Sequence, residues 1–102
     1  MPVSVEKDEA RYLIRLEGEV GLAEAAELKS LLLEGLASGR TLQLDLKRIA
    51  EIDVTVMQLL QAALREADQA GTVMTARMSE AAESALRGAG FGIVIEAAGW
   101  TS

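Results

Sequence analysis

Asp53 and Thr55 stand two residues apart in "EIDVTVMQLL", where a strand-like run gives way to a helical one. A carboxylate there can cap the helix that follows. It accepts a backbone N–H and faces the positive helix end, an arrangement that contributes about 1 kcal/mol. Thr55 then falls on the first helical turn, at the mouth of a strand–helix crevice, where open α/β sheets usually carry their functional groups. A phosphate attached there would meet the helix N-terminus favourably. The plainer reading makes Asp53 a cap and nothing more, with Thr55 an ordinary first-turn residue, because acids and hydroxyls lead helix starts in proteins generally.

Two other features could carry chemistry, and both are weaker. "EGEVGL" puts two glycines before a helix, but the full spacing of a phosphate-cradling loop is missing, so a turn is the expected role. Glu19, Glu51 and Asp53 could form a carboxylate dyad or a metal site, although acids at loop positions are usually solvated. The chain has no histidine and no cysteine. That removes imidazole bases, thiolate nucleophiles, disulfides and the commonest metal ligands. The expectation is a protein without cofactor or metal, and not an enzyme.

Composition narrows the partners. The formal charge is −6, and Tyr12, Phe91 and Trp100 are the three aromatics. A nucleic-acid binder usually needs a basic face and stacking rings, so none is expected here. The charge suits a protein partner with a basic surface. No apolar run approaches the roughly 18 residues of a membrane span, and "MPVSVEKDEARY" lacks the pattern of a signal peptide. A cytoplasmic protein without direct membrane insertion is expected, with one domain over residues 1–102.

The elements that must position these residues follow from periodicity. "RYLIRLEG" alternates, with Tyr12, Ile14 and Leu16 on one face and both arginines on the other, and Gly18 is expected to end that strand. "TLQLDL" repeats the device with Leu42, Leu44 and Leu46. "PVSV" and "TVMTARM" are weaker strands, and "FGIVIE" is a fifth strand or an apolar segment closing the core. Ala25, Leu28, Leu32 and Leu36 make a helical stripe stopped at Gly39. Val56, Leu59, Leu60, Ala63, Leu64 and Ala67 make a second, stopped at Gly71. "SEAAESALRGAG" reads as a third helix with Ser79 as its N-cap. Strands alternating with helices predict an α/β fold with a mixed sheet of four or five strands.

In this order, "LEGEVGLAEAAELKSLL", then "LQLDLKRIAEIDVTVMQLLQAALREADQAG", then a short helix ending "LRGAGF", the chain resembles the STAS domain. This is the family of anti-sigma-factor antagonists in bacterial sporulation and stress signalling, and the resemblance runs from about Tyr12 to Phe91. It implies a STAS-like fold with helices packed mainly on one side of the sheet, acting by binding proteins. In switchable members the segment matching Asp53–Val56 reads Asp-Ser-Ser/Thr-Gly. The serine after the aspartate accepts phosphate from a kinase that is also the anti-sigma factor.

The resemblance is half kept at that site. Asp53 matches the aspartate, Val54 stands at the acceptor position without a hydroxyl, Thr55 matches the second hydroxyl, and Val56 replaces the glycine. Gly21 stands where many members carry an acid. The implied contact surface comprises Glu19, Val20, Gly21 and Leu22 with Asp53, Val54, Thr55, Val56 and Gln58. The expected function is a non-catalytic signalling domain that binds an anti-sigma-factor kinase or a chemotaxis component without the serine switch. Two alternatives stay open: a switch phosphorylated at Thr55, and a STAS subunit seated on the cytoplasmic ATPase of a transporter.

Overall fold

The structure is a computed structural model that describes residues 2–102. Its elements run β1 (Val3–Lys7), β2 (Arg11–Val20), α1 (Leu22–Ala37), β3 (Thr41–Ile52), α2 (Val54–Ala70), β4 (Met74–Met78), α3 (Glu80–Gly88) and α4 (Gly92–Ala98). The strands form one sheet in the order β1-β2-β3-β4. β1 and β2 are antiparallel, while β2–β3 and β3–β4 are parallel, so the sheet is mixed.

This order explains why the helices share a face. β3 and β4 are added in one direction across the sheet, and crossovers between parallel strands are right-handed almost without exception. Two such crossovers, carrying α1 and α2, must then lie on the same side. The strands obey that constraint residue by residue. Tyr12, Ile14 and Leu16 of β2, Leu42, Leu44 and Leu46 of β3, and Met74, Ala76 and Met78 of β4 are all buried beneath the helices. Leu28 and Leu32 of α1 meet them, as do Val56, Leu60, Ala63 and Ala67 of α2. The opposite face, with Arg15, Gln43, Asp45, Thr75 and Arg77, stays open.

Four expectations need correction. "FGIVIE" is not a fifth strand: Gly92–Ala98 is α4, and its buried Ile95 makes it the apolar segment that closes the core. A short apolar run cannot by itself distinguish strand from helix. Here the outer edge of β4 is met by Thr101, which pairs with Arg77 and leaves that edge no room for another strand at that point. Gly18 does not end β2, which continues to Val20 through a register shift, with Gly18 at φ +71°. β3 also runs beyond "TLQLDL" to Ile52, and its last residues build one wall of the site. Finally, Leu64 is partly buried against the core, not within it, whereas Leu44 and Leu60 are core.

Candidate functional site

Asp53 is the N-cap of α2. Its backbone is extended (φ −79°, ψ 152°), and its Oδ1 accepts the Thr55 N–H at 2.7 Å. Its carbonyl accepts from Met57 N–H at 3.1 Å, which starts the helical ladder. The Asp53 N–H donates to the Val20 carbonyl at 3.0 Å. One residue therefore caps α2 and ties it to the end of β2. Gly71 in the left-handed conformation (φ 73°) closes the other end of α2, where a residue with a Cβ would be strained.

The start of α1 is built differently. Gly21, the N-cap, has no side chain to offer, so only half of a capping box forms: its N–H donates to Glu24 Oε1 at 2.9 Å. Sequence reasoning passed over Glu24, although an acid three residues after a helix-opening glycine is a cap signal. A Cβ placed on Gly21 would meet Asp53 Cβ at 3.7 Å, an ordinary contact, and φ of −144° suits any residue. Neither space nor backbone therefore demands glycine here. The acid that STAS resemblance leads one to expect at this position would fit.

The two helix starts form a single surface. Glu19 is paired with Glu51 and Val20 with Ile52 across the parallel β2–β3 ladder. A shallow hollow of about 510 Å³ is bounded by Glu19, Gly21, Leu22 and Glu24 on one side and by Glu51 and Asp53 on the other. The carboxylates singled out in the sequence are thus brought together. Among the described residues, however, no group of three converges closely enough to hold a metal.

Exposure separates the surface from the core behind it. Leu22 is 74% exposed and Val54 49%, two apolar side chains at the first positions of their helices. Asp53 and Gln58 are exposed and Thr55 is half-buried. Val20 and Val56, in contrast, are only 2% and 0% exposed. Their side chains add little to the exposed surface, although Val20 still borders the hollow. Val20 lies on the inward face of β2, and Val56 shares the buried stripe of α2 with Leu60 and Ala63. The exposed large apolar side chains at the two helix starts are Leu22 and Val54.

The sequence matches the family model described as the Mlab, STAS domain over residues 3–99, nearly its whole length. The chain belongs to the STAS family. Solved structures agree on the fold of this STAS domain. The Bacillus cell-fate determinant SpoIIAA in its phosphorylated form superposes with a TM-score of 0.74 at 16% identity, over 98% of this chain and 88% of that one. A Thermotoga maritima protein assigned as an anti-sigma factor antagonist gives 0.78 at 12% identity, over 98% and 86%. An anti-sigma factor antagonist from Mycobacterium paratuberculosis gives 0.72 at 18% identity, over 90% and 80%. Comparison with curated protein sequences returns no match. No helix among the described residues is long and apolar enough to cross a membrane.

Proposed function

We propose that this STAS domain is a non-catalytic regulatory module that binds a partner protein through the paired starts of α1 and α2, without the serine switch. The observation that carries the reading is Val54. By the STAS resemblance it stands where switchable relatives carry the acceptor serine, and it is half-exposed at the start of α2, directly after Asp53. An apolar side chain held at an interaction surface favours a contact that persists, because burying it on binding is favourable and no phosphate can be placed on it. The contact surface is Glu19, Gly21, Leu22, Asp53, Val54, Thr55 and Gln58. The partner is an anti-sigma-factor kinase, a chemotaxis component, or the cytoplasmic ATPase of a transporter, and the setting is the cytoplasm.

One observation supports a second reading. Thr55 is half-buried on the first turn of α2, where a phosphate would face the helix N-terminus. In that reading Thr55 takes the acceptor role and the switch survives.

A photo-crosslinking residue installed in turn at Val54, Leu22 and the exposed Lys29 separates these ideas in the native cell. Adducts at the first two positions with the same protein, and none at Lys29, are expected. Equal capture at all three would remove the site assignment. The intact mass of the protein recovered from those cells should carry no added phosphate, and a phosphate mapped to Thr55 would promote the second reading.

A further inference from the structure

A hollow on the face of the sheet turned away from the helices has the opposite charge balance from the molecule as a whole. This hollow, of about 400 Å³, is lined by six charged residues, Glu6, Arg11, Arg15, Asp45, Lys47 and Arg77. Four cations against two carboxylates give +2 on a chain whose formal charge is −6. Both carboxylates form their ion pair with Arg15, while Arg11 lies 3.5 Å from Asp8 beside the hollow. Asp45 lies 3.0 Å from the Arg15 guanidinium, and Glu6 lies 3.6 Å from it. Arg77 is the neighbour of Asp45 in the β3–β4 register, yet Asp45 forms its ion pair across the other ladder. Arg77 and Lys47 are exposed and form no ion pair among the described residues.

We infer that this open sheet face is a second docking surface, which takes an acidic segment of a partner protein. Charge complementarity supports it: Lys47 and Arg77 are long, exposed cations, and the hollow's own acids are engaged by Arg15, so the pair will attract carboxylates. Spacing argues for a segment with several acids over a single small anion. Arg15 and Arg77 lie two strands apart, which places their backbones about 10 Å from each other. The chemistry also favours polypeptide over nucleic acid, since the face offers no stacking ring. Tyr12 and Trp100 are buried on the helical side, and Phe91 packs there too. The inference uses no residue of the helix-start surface, so either can fail alone.

The test is fluorescence anisotropy of a labelled oligoglutamate titrated with the full chain. Saturable binding is expected at low salt. It should fade as the screening length shrinks from about 10 Å at 0.1 M salt to about 3 Å at 1 M. Arg77→Glu should weaken binding by about tenfold and Arg77→Gln by less, with unchanged circular dichroism. If Arg77→Glu does not fold, Arg77→Gln and Lys47→Glu carry the comparison. Absence of saturable binding would overturn the proposal, as would affinity untouched by these variants. A single-stranded oligonucleotide of matched charge that binds as tightly would replace it with a nucleic-acid surface. Displacement by equimolar inorganic phosphate would replace it with a small-anion site. Self-association that Arg77→Glu abolishes, seen by sedimentation, would make the occupant a second copy of this chain.

Discussion

The Asp53 N–H donates to the Val20 carbonyl at 3.0 Å, so the start of α2 is fixed to the strand end that leads into α1. The starts of α1 and α2, at Leu22 and Val54, are consequently tied through the backbone, though thirty-two positions separate them in the chain. In the proposed function, a partner that reads one helix start would meet the other already fixed beside it. The surface is preorganised, and preorganisation lowers the ordering cost of binding.

The hydroxyl of Thr55 and its surroundings can be tested apart. Thr55→Glu introduces a carboxylate beside Asp53 within the proposed contact. Desolvating it should weaken partner binding by about 2 kcal/mol or more, partly offset by the helix dipole. Thr55→Val keeps the shape and should cost less than about 1 kcal/mol. Calorimetric affinities for both variants, with circular dichroism to confirm folding, give the comparison. A Thr55→Glu variant that binds normally moves the interface elsewhere, and a large loss for Thr55→Val means that the partner reads the hydroxyl.

Leu60 sits in the middle of the buried stripe of α2, fully enclosed by the sheet and neighbouring helices. Leu60→Ala should lower stability by about 2–5 kcal/mol, and Leu64→Ala by clearly less because Leu64 lies at the rim. Urea unfolding measures both. Equal losses would show that the rim and the core are not distinguished as described.

Two glycines of helices should respond oppositely to alanine. A Cβ on Gly35 of α1 would approach Leu42 Cδ1 at 2.8 Å and Tyr12 Cδ1 at 3.0 Å, both in fully buried side chains. Overpacking of about 1–3 kcal/mol should outweigh the helix-propensity gain of about 1 kcal/mol. A Cβ on Gly88 of α3 meets nothing within 4 Å, so Gly88→Ala should be neutral or stabilising by up to about 1 kcal/mol. Thermal or urea unfolding checks the pair, and a stabilised Gly35→Ala would disprove the close packing of α1 on the sheet.

Asp45 links the fold to pH. Burial pushes its carboxyl upward, but the Lys47 N–H at 3.1 Å and the Arg15 guanidinium outweigh that and hold it below the usual carboxylate range. A depressed folded value means stability that is present above the unfolded value of about 3.9 and lost as pH falls through the folded one. Its side chain is 14% exposed, so the effect is only weakly screened. Asp45→Asn should cost about 1–2 kcal/mol at neutral pH. The gap to the parent protein should close as pH drops below about 4. A gap that stays constant on acidification would show that the charge of Asp45 contributes nothing.

Much of this protein is legible in one dimension. Alternation in "RYLIRLEG" and "TLQLDL" and the three-and-four spacing in α1 and α2 report which faces are buried, because side-chain direction repeats every two residues in a strand and every 3.6 in a helix. Asp53 and Gly71 mark the ends of α2 for reasons internal to those few residues: an extended backbone with a carboxylate acceptor, and a left-handed turn that favours glycine. Even the burial of Val56 is implied by its place on the stripe of Leu60 and Ala63, a local signal that outranks its nearness to Thr55.

What the sequence could not decide depends on residues far apart in it. The helical form of Gly92–Ala98 goes with Ile95 and Trp100 packed in the core and with Thr101 meeting the edge of β4. The joining of the α1 and α2 starts, and the gathering of Arg11, Arg15, Lys47 and Arg77 on the open face, follow from strand order and register. Periodicity fixes which way a side chain points from its own backbone. Only the pairing of strands fixes which distant side chain it will stand beside.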